Sequence, residues 1–407
     1  MLKNKTVVLG VTGSIAAYKI ANVASSLVKM GAEVHVIMTR NATNFINPIT
    51  FETLTGNKCL VDTFDRNFQF HVAHVSLAEK ADVMLIAPAS ANIIAKLAYG
   101  LADDMLSTTA LAMRSKIIIS PAMNVNMYHN QIVQDNLSKL AEYGKIIIPP
   151  DNGYLACGTS GEGKMPSEDT LINYILREIA YEKDLAGRKI LVTAGPTRET
   201  IDPVRFISNH STGKMGYAIA RQAMLRGADV TLVTGPVSIA PPPFVDVVNV
   251  VSAADMFEAV KQRYSEQDII IKSAAVADYT PANVSDEKIK KKEGDMSVEL
   301  QRTTDILAWL GVHKSEHQVL CGFSMETENV LEYSKKKLET KKADIIAANC
   351  LRDDGAGFGT DTNHLILIKK AENEGEEPEI IDLPLMSKDD AAGRLLDELG
   401  GLYAVCC

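Results

Sequence analysis

Short runs of aliphatic and β-branched residues recur along the whole chain, each separated from the next by a stretch of helical period, and this alternation limits the possible folds severely. The strand candidates of the first half are TVVLGV (6–11), EVHVIMT (33–39), DVMLIAP (82–88), KIIIS (116–120) and KIIIP (145–149). A second series follows with KILVTA (189–194), DVTLVT (229–234), VDVVNVV (245–251), DIIIKSAA (268–275), DIIAAN (344–349) and HLILIK (364–369). A strand that is apolar along its whole length must be covered on both faces, and the intervening helices supply the cover. The pattern therefore predicts an α/β protein of two doubly wound, Rossmann-like domains with mostly parallel sheets.

The charged segment YEKDLAGR (181–188) lies between the two series and reads as a linker, dividing residues 1–184 from 185–407. VKMGAEVHVIMT (28–39) and MLRGADVTLVT (224–234) echo one another as helix end, glycine cap and following strand. The stretch from Gly195 to Gly227 is much longer than that from Gly13 to Gly31, so the second domain carries an insertion just after its first strand. In such folds that is where ligands bind. A net charge of -9 argues against general nucleic-acid binding. No apolar run reaches the ~18 residues of a membrane span. The start, MLKNKTVVLGV, runs straight into a strand pattern, which predicts no signal peptide and a cytoplasmic protein. The six cysteines show no CxxC or Cys/His metal spacing and read as free thiols.

In the first domain VTGSIAAYK (11–19) joins a strand to a helix, so the backbone around Gly13, Ser14 and Ile15 either faces an anion or simply makes a tight turn. It is not a full GxGxxG, and Thr39 and Arg40 stand where a dinucleotide site would want an acid, so an isolated phosphate fits better than NAD. Pro88, Ser90 and Asn92 follow the third strand, where small polar residues suit close approach to a planar heterocycle. Asn124 of PAMN follows the fourth, as a ligand to chemistry or as a helix cap. His71 and His74 stand ahead of a short helix, and His74, the nearer to it, is the candidate acid or base. GYLACGTSGEGKMP (153–166) has four glycines and sets the thiol of Cys157 in what reads as a mobile loop.

In the second domain NHSTGKMG places a Ser-Thr-Gly-Lys run at a helix start without the P-loop pattern. Asp278 follows a strand, Lys288, Lys290, Lys291 and Lys292 come after it, and Lys337 and Lys341 lie four apart on one helical face. Either cluster alone reads as a solvated face; together, in an acidic chain and beside strand ends, they suit a triphosphate accompanied by Mg2+.

GSIAAYK, HVS, PASAN, PAMN and ACGTSGEGKMP together resemble the flavin-dependent phosphopantothenoylcysteine decarboxylases, and the second-domain motifs resemble phosphopantothenate-cysteine ligases. The resemblance implies a flavodoxin-like flavoprotein domain fused to a ligase domain, acting in succession in coenzyme A synthesis. For the first it implies FMN near Gly13, Ser14, Ile15, Thr39, Pro88, Ser90 and Asn92, with His74 as base, Asn124 as anchor of the departing carboxylate, and Cys157 as a proton donor carried by a flap that closes over the substrate. FMN there oxidises the CH2–SH to a thioaldehyde, which acts as electron sink for loss of CO2. For the second it implies that the carboxylate of 4′-phosphopantothenate attacks the α-phosphate of CTP and that cysteine captures the acyl-cytidylate. Lys288 would neutralise charge in the first step and Asn209 hold the activated acyl group in the second. Ser273, Ala274, Asp278, Lys288, Asp305, Ile306, Phe323, Lys337 and Lys341 would contact nucleotide, Mg2+ would be required through ligands the sequence does not identify, and the assembly would be a homo-dodecamer of decarboxylase trimers and ligase dimers. A two-domain NAD-dependent dehydrogenase and a non-catalytic flavin-binding regulatory subunit are the alternative readings.

Overall fold

The computed structural model divides into two compact units, Met1–Glu182 and Lys183–Cys407. The structure describes residues 1–64, 73–154, 160–290, 296–326, 328–350, 357, 359–371, 373 and 376–406.

In the first unit β1 (Thr6–Val11), β2 (Glu33–Met38), β3 (Val83–Ala89), β4 (Lys116–Pro121) and β5 (Ile146–Ile147) form a parallel sheet in the order β2-β1-β3-β4-β5. The order reverses between β1 and β3, the flavodoxin-like switch point. The antiparallel hairpin of β6 (Asp151–Tyr154) and β7 (Ser160–Lys164) stands apart from it. The helices are α1 (Lys19–Lys29), α2 (Pro48–Thr55), α3 (Ala73–Lys80), α4 (Ala91–Tyr99), α5 (Met105–Ala112), α6 (Val125–Tyr128), α7 (Gln131–Glu142) and α8 (Glu168–Ile179). Val8, Met84, Ile86, Ile117 and Ile119 pack against α3, α4, α5 and α7. The alternate sheet residues Leu9, Leu85 and Ile118 are also buried, with α1 and α8 packed against each other and α8 against β3 and β4. The helix faces follow from the sequence: α1 buries Ile20, Val23, Ala24 and Leu27 at i, i+3, i+4 and i+7. Ser167 caps α8 by accepting from the Thr170 amide, with Glu168 and Asp169 in the first turn.

In the second unit β8 (Lys189–Ala194) is followed by the hairpin β9 (Arg198–Thr200) and β10 (Phe206–Ser208), which is the predicted insertion. Next come β11 (Asp229–Thr234), β12 (Asp246–Asn249), β13 (Ile269–Lys272), the ribbon β14 (Tyr279–Pro281) and β15 (Leu300–Arg302), β16 (Val319–Glu326) and β17 (Ile345–Cys350). The chain ends with β18 (Thr362–Asn363), β19 (Ile366–Lys369), β20 (Glu379–Asp382) and β21 (Met386–Ser387). The main sheet runs β12-β11-β8-β13-β16-β17-β19-β20, its neighbours parallel except for the antiparallel pairs β17–β19 and β19–β20 at one edge. Its switch point lies between β8 and β13. The helices are α9 (Lys214–Leu225), α10 (Ala253–Lys261), α11 (Ile306–His313), α12 (Val330–Thr340) and α13 (Lys388–Cys406). Leu191, Val233, Ile270, Leu320 and Ile346 pack with Met256, Val260, Leu307, Leu310 and Leu338 from α10, α11 and α12.

Two expectations change. β16 is a central strand that the sequence pattern does not reveal, and 268–275 is a regular strand only as far as Lys272, after which Ala275 makes an isolated parallel bridge to Pro196. The segment read as a linker is docked on the second unit from Lys183 onward. Leu185 is buried, Lys183 Nζ donates to the Leu225 carbonyl at 2.6 Å, and Asp184 pairs with Arg226, which also reaches Asp397 at 2.8 Å. Cys59 and Cys321 are buried free thiols, and burial pushes the Cys59 thiol up to about 12. Among the described residues no helix is long and apolar enough to cross a membrane.

Candidate functional sites

The C-terminal ends of the first unit's strands deliver Gly13, Ser14 and Ile15 after β1, Thr39 after β2, Pro88, Ser90 and Asn92 at and beyond the end of β3, and Asn124 after β4. Thr12, which no sequence motif marks, ties the two sides of the switch point together. Its buried hydroxyl donates to the Pro88 carbonyl at 2.7 Å and accepts from the Ser90 amide at 3.0 Å. Ser14 Oγ accepts weakly from the Ala16 amide at 3.4 Å. Gly13 is backed so closely by Asn41 that a Cβ would meet Asn41 Cβ at 2.8 Å. Thr39 Oγ1 and, in β4, Ser120 Oγ are buried without a hydrogen-bond partner among the described residues. Orphaned hydroxyls are costly unless something else satisfies them, so these residues fit a polar heterocycle with a phosphate tail.

Asn124 caps α6, its Oδ1 accepting from the Asn126 amide at 2.9 Å, so the capping role is realised. The turn that carries it is pinned twice, through Ala122 N–H to Ala89 O at 3.0 Å and Met123 N–H to Gly163 O at 3.0 Å. Gly163 has φ +133°, and a Cβ there would meet Met123 O at 2.4 Å. The described ends of the glycine-rich stretch thus lie in the paired strands β6 and β7, and β7 leans on the turn bearing Asn124. Cys157 lies outside the described residues, as does His71. His74 is half-buried in the first turn of α3, inside the helix rather than ahead of it. Because α3 leads into the start of β3, its own start points toward the sheet edge where the other groups gather.

The second unit holds a cavity of about 590 Å³ at the carboxyl ends of β13, β16 and β17, beside the start of α9. Of the predicted nucleotide contacts, Ser273, Ala274, Asp278, Asp305, Ile306, Phe323, Lys337 and Lys341 line it. Lys288 does not; it is exposed, on a segment held at Ile289. Asp202 makes that anchor, accepting from the amides of Val204 and Arg205 at 2.9 Å and of Ile289 at 3.1 Å, while the Arg205 guanidinium, first among these, holds its carboxyl well below the usual carboxylate range. Asn209 also lies off the cavity wall, but its Nδ2 donates to the carbonyl of Ala275, which is part of that wall, at 3.0 Å.

Lys214, Lys272, Arg302 and Lys388 line the cavity as well and were not singled out as contacts from the sequence. Lys272 alone carried a signal there, a single charge at the end of an apolar strand. The Ala274 amide donates to Thr193 Oγ1 at 3.1 Å, the same hydroxyl bridge across a switch point that Thr12 makes in the first unit. Asp305 caps α11 by accepting from the Ala308 amide at 2.9 Å and pairs with Lys341 at 2.7 Å. Burial alone would raise its carboxyl, but these two partners outweigh that and hold it below the ordinary value. Burial pushes the Lys272 ammonium down to about 8, Lys337 adding to the effect and Asp305 and Asp278 opposing it. Burial likewise lowers Lys337, and lowers Lys388 with help from Lys214. Five lysines and an arginine around two aspartates make a receptor for a polyanion.

Residues 185–402 match the DNA/pantothenate metabolism flavoprotein C-terminal domain, and residues 1–180 match the Flavoprotein family. The coenzyme A biosynthesis bifunctional protein CoaBC of Bacillus subtilis (strain 168) is 46% identical over 405 residues, covering 99% of this chain and 98% of the relative. The chain belongs to the family of bifunctional coenzyme A biosynthesis proteins. Its counterpart from Escherichia coli (strain K12) is 41% identical over 405 residues, 99% of this chain and 98% of that one. A crystal structure of the C-terminal domain of such a protein is 44% identical, covers 55% of this chain and 99% of its own, and superposes with a TM-score of 0.46. The chain is a bifunctional enzyme, a phosphopantothenoylcysteine decarboxylase and phosphopantothenate-cysteine ligase working on pantothenate- and cysteine-derived substrates. The dehydrogenase and the non-catalytic alternatives fall away.

Proposed function

We propose that residues 1–184 carry the decarboxylase and residues 185–407 the ligase, in the cytoplasm, and that the ligase uses CTP with Mg2+. The observation that carries the nucleotide reading is the cationic cavity at the carboxyl edge of the sheet, between the end of β13 and the start of α9. Ligands of α/β sheets bind at that place, and a triphosphate needs several cations. In activation, a carboxylate oxygen of 4′-phosphopantothenate forms a bond to the α-phosphorus of CTP as the bond to pyrophosphate breaks, with Lys337, Lys341 and Lys214 balancing the charge. Lys288, held through Ile289 by Asp202 and Arg205, reaches the reacting phosphate from outside the cavity. Cysteine nitrogen then attacks the acyl carbon and CMP departs, Asn209 steadying the acyl group from the Ala275 side. Mg2+ arrives with the triphosphate; among the described residues no group of three acidic, His or Cys side chains forms a ready metal site.

For the decarboxylase, Gly13, Ser14, Ile15 and Thr39 would hold the phosphate and polar tail of FMN, and Pro88, Ser90 and Asn92 its ring. When bound, FMN supplies reversible two-electron oxidation at the substrate's thiol-bearing carbon. A ring nitrogen of His74 takes the thiol proton, Asn124 Nδ2 donates to the carboxylate that leaves as CO2, and the Cys157 thiol returns a proton to carbon. The assembly that serves both reactions is a homo-dodecamer of decarboxylase trimers and ligase dimers. One incubation with 4′-phosphopantothenate, cysteine, CTP and Mg2+, followed by mass analysis, tests the whole: 4′-phosphopantetheine and CMP are expected, with an oxidised decarboxylated intermediate accumulating in Cys157→Ser. Equal turnover with ATP, or unchanged product from the serine variant, refutes the corresponding assignment, and light scattering checks the size.

A further inference from the structure

The lysines of the second unit's cavity are not equivalent. Lys214 Nζ donates to the Gly359 carbonyl at 2.9 Å and pairs with Asp361 at 2.7 Å. Lys337 Nζ donates to the Phe323 carbonyl at 2.8 Å, Lys341 pairs with Asp305 at 2.7 Å, and Lys388 donates to the carbonyls of Gly357 at 2.8 Å and Thr360 at 2.5 Å. Lys272 has no hydrogen-bond acceptor and no ion pair among the described residues. Yet it occupies the central position, the last residue of β13, in register with Thr193 of β8 on one side and Gly322 of β16 on the other. An ammonium with three unused donors at the wall of a cavity is costly to keep unless a ligand brings the acceptors.

We propose that Lys272 is an anchor for the nucleotide's phosphate chain, a substrate-binding residue whose hydrogen-bonding partners arrive with the ligand. This rests on the reading of the cavity as a nucleotide site. The charged groups facing Lys272 are Lys337 from α12, Asp305 from the start of α11 and Asp278 from the loop after β13; Lys214, Lys341, Lys388 and Arg302 complete the charge of the cavity. The two carboxylates are too few to neutralise this set, so burial and Lys337 dominate and hold the free ammonium near 8. Phosphate oxygens reverse that balance. Binding therefore takes up a proton wherever the empty site has lost one: from a half-titration near 8, about 0.1 proton per nucleotide at pH 7, about 0.5 at pH 8 and about 0.9 at pH 9. Affinity then falls by up to tenfold per pH unit above that point.

The experiment is calorimetric titration of the full-length protein with CTP and Mg2+, without phosphopantothenate, at pH 7, 8 and 9 in buffers of different ionisation enthalpy. The wild type is expected to show the rising proton uptake and the pH-dependent Kd. Lys272→Met should lose both and bind at least tenfold more weakly at pH 7, and Lys272→Arg, charged at every pH used, should bind equally at pH 7 and pH 9 without uptake. Removing an unpaired charge leaves the fold intact, and thermal unfolding of Lys272→Met checks this. Uptake that persists in Lys272→Met but vanishes in Lys337→Met, or CTP affinity unchanged in Lys272→Met, overturns the assignment while leaving the nucleotide site standing. Failure of the wild type to bind CTP at all removes the nucleotide reading, and this inference with it.

Discussion

Thr12→Val tests whether the switch-point crevice of the first unit is held by one hydroxyl. Valine keeps the shape and the burial of threonine, so packing is nearly unchanged. What disappears is a donor to the Pro88 carbonyl at 2.7 Å and an acceptor for the Ser90 amide at 3.0 Å. Both backbone groups lie in or beside a buried strand end, where an unsatisfied amide or carbonyl costs about 1–3 kcal/mol, so the pair loses about 2–4 kcal/mol after partial relaxation. The loss falls on the local opening of the segment 87–92 rather than on the second unit. Hydrogen exchange read by mass spectrometry resolves this: peptides covering 83–99 should exchange roughly 30- to 1000-fold faster in the variant under native conditions, while peptides of 185–402 stay the same. Flavin affinity should weaken in parallel, because the turns on both sides of the crevice lose their common tie. Exchange of the 83–99 peptides within threefold of wild type would refute the argument, since the bridge would then be incidental.

Other perturbations reach different parts of the structure. Gly163→Ala forces a Cβ to within 2.4 Å of Met123 O at φ +133°, so the hairpin must shift; decarboxylation should fall at least tenfold in stopped-flow assays, with ligation unchanged. Asp202 has a carboxyl depressed by Arg205, so its stabilisation is full above the unfolded value near about 4 and is lost as pH falls toward the lower folded value. Asp202→Asn should flatten acid unfolding between about pH 2 and 5, read by circular dichroism, and should slow acyl-cytidylate formation by loosening Ile289 and Lys288. Lys341→Met frees Asp305 from its 2.7 Å partner and leaves a carboxylate facing the phosphates; KM for CTP should rise about tenfold, the factor for roughly 1.4 kcal/mol, with KM for cysteine unmoved.

The sequence is most informative where a single physical demand dominates. β1, β8 and β11 end where their apolar runs end, because a strand covered on both faces has no other composition. β16 escapes notice because Gly322, Ser324 and Glu326 interrupt the run; the first two are tolerated because a central strand gains its hydrogen bonds from β13 and β17 whatever its side chains are. Lys337 and Lys341 announce themselves by helical spacing, whereas Lys214 and Lys388 reach the same cavity from helix starts far apart in the chain, a convergence that only the folded topology creates. Lys288 is the opposite case: its motif is legible, but its place off the cavity wall is set by the Asp202–Ile289 anchor, to which no local pattern points. Thr12 and Thr193 were hidden because a threonine at a strand end is ordinary until its partner across the switch point is known.

The contact between Gly163 and Met123 has one further implication. The amide of Met123 is a single peptide unit from Asn124, and the hairpin it grips is the stem of the segment bearing Cys157. Any displacement of β7 is therefore passed to the turn that presents the proposed carboxylate anchor. Substitutions along 160–164 can retune that turn without touching Asn124 itself, so the sequence of β7 is a lever on how the cysteinyl end is received.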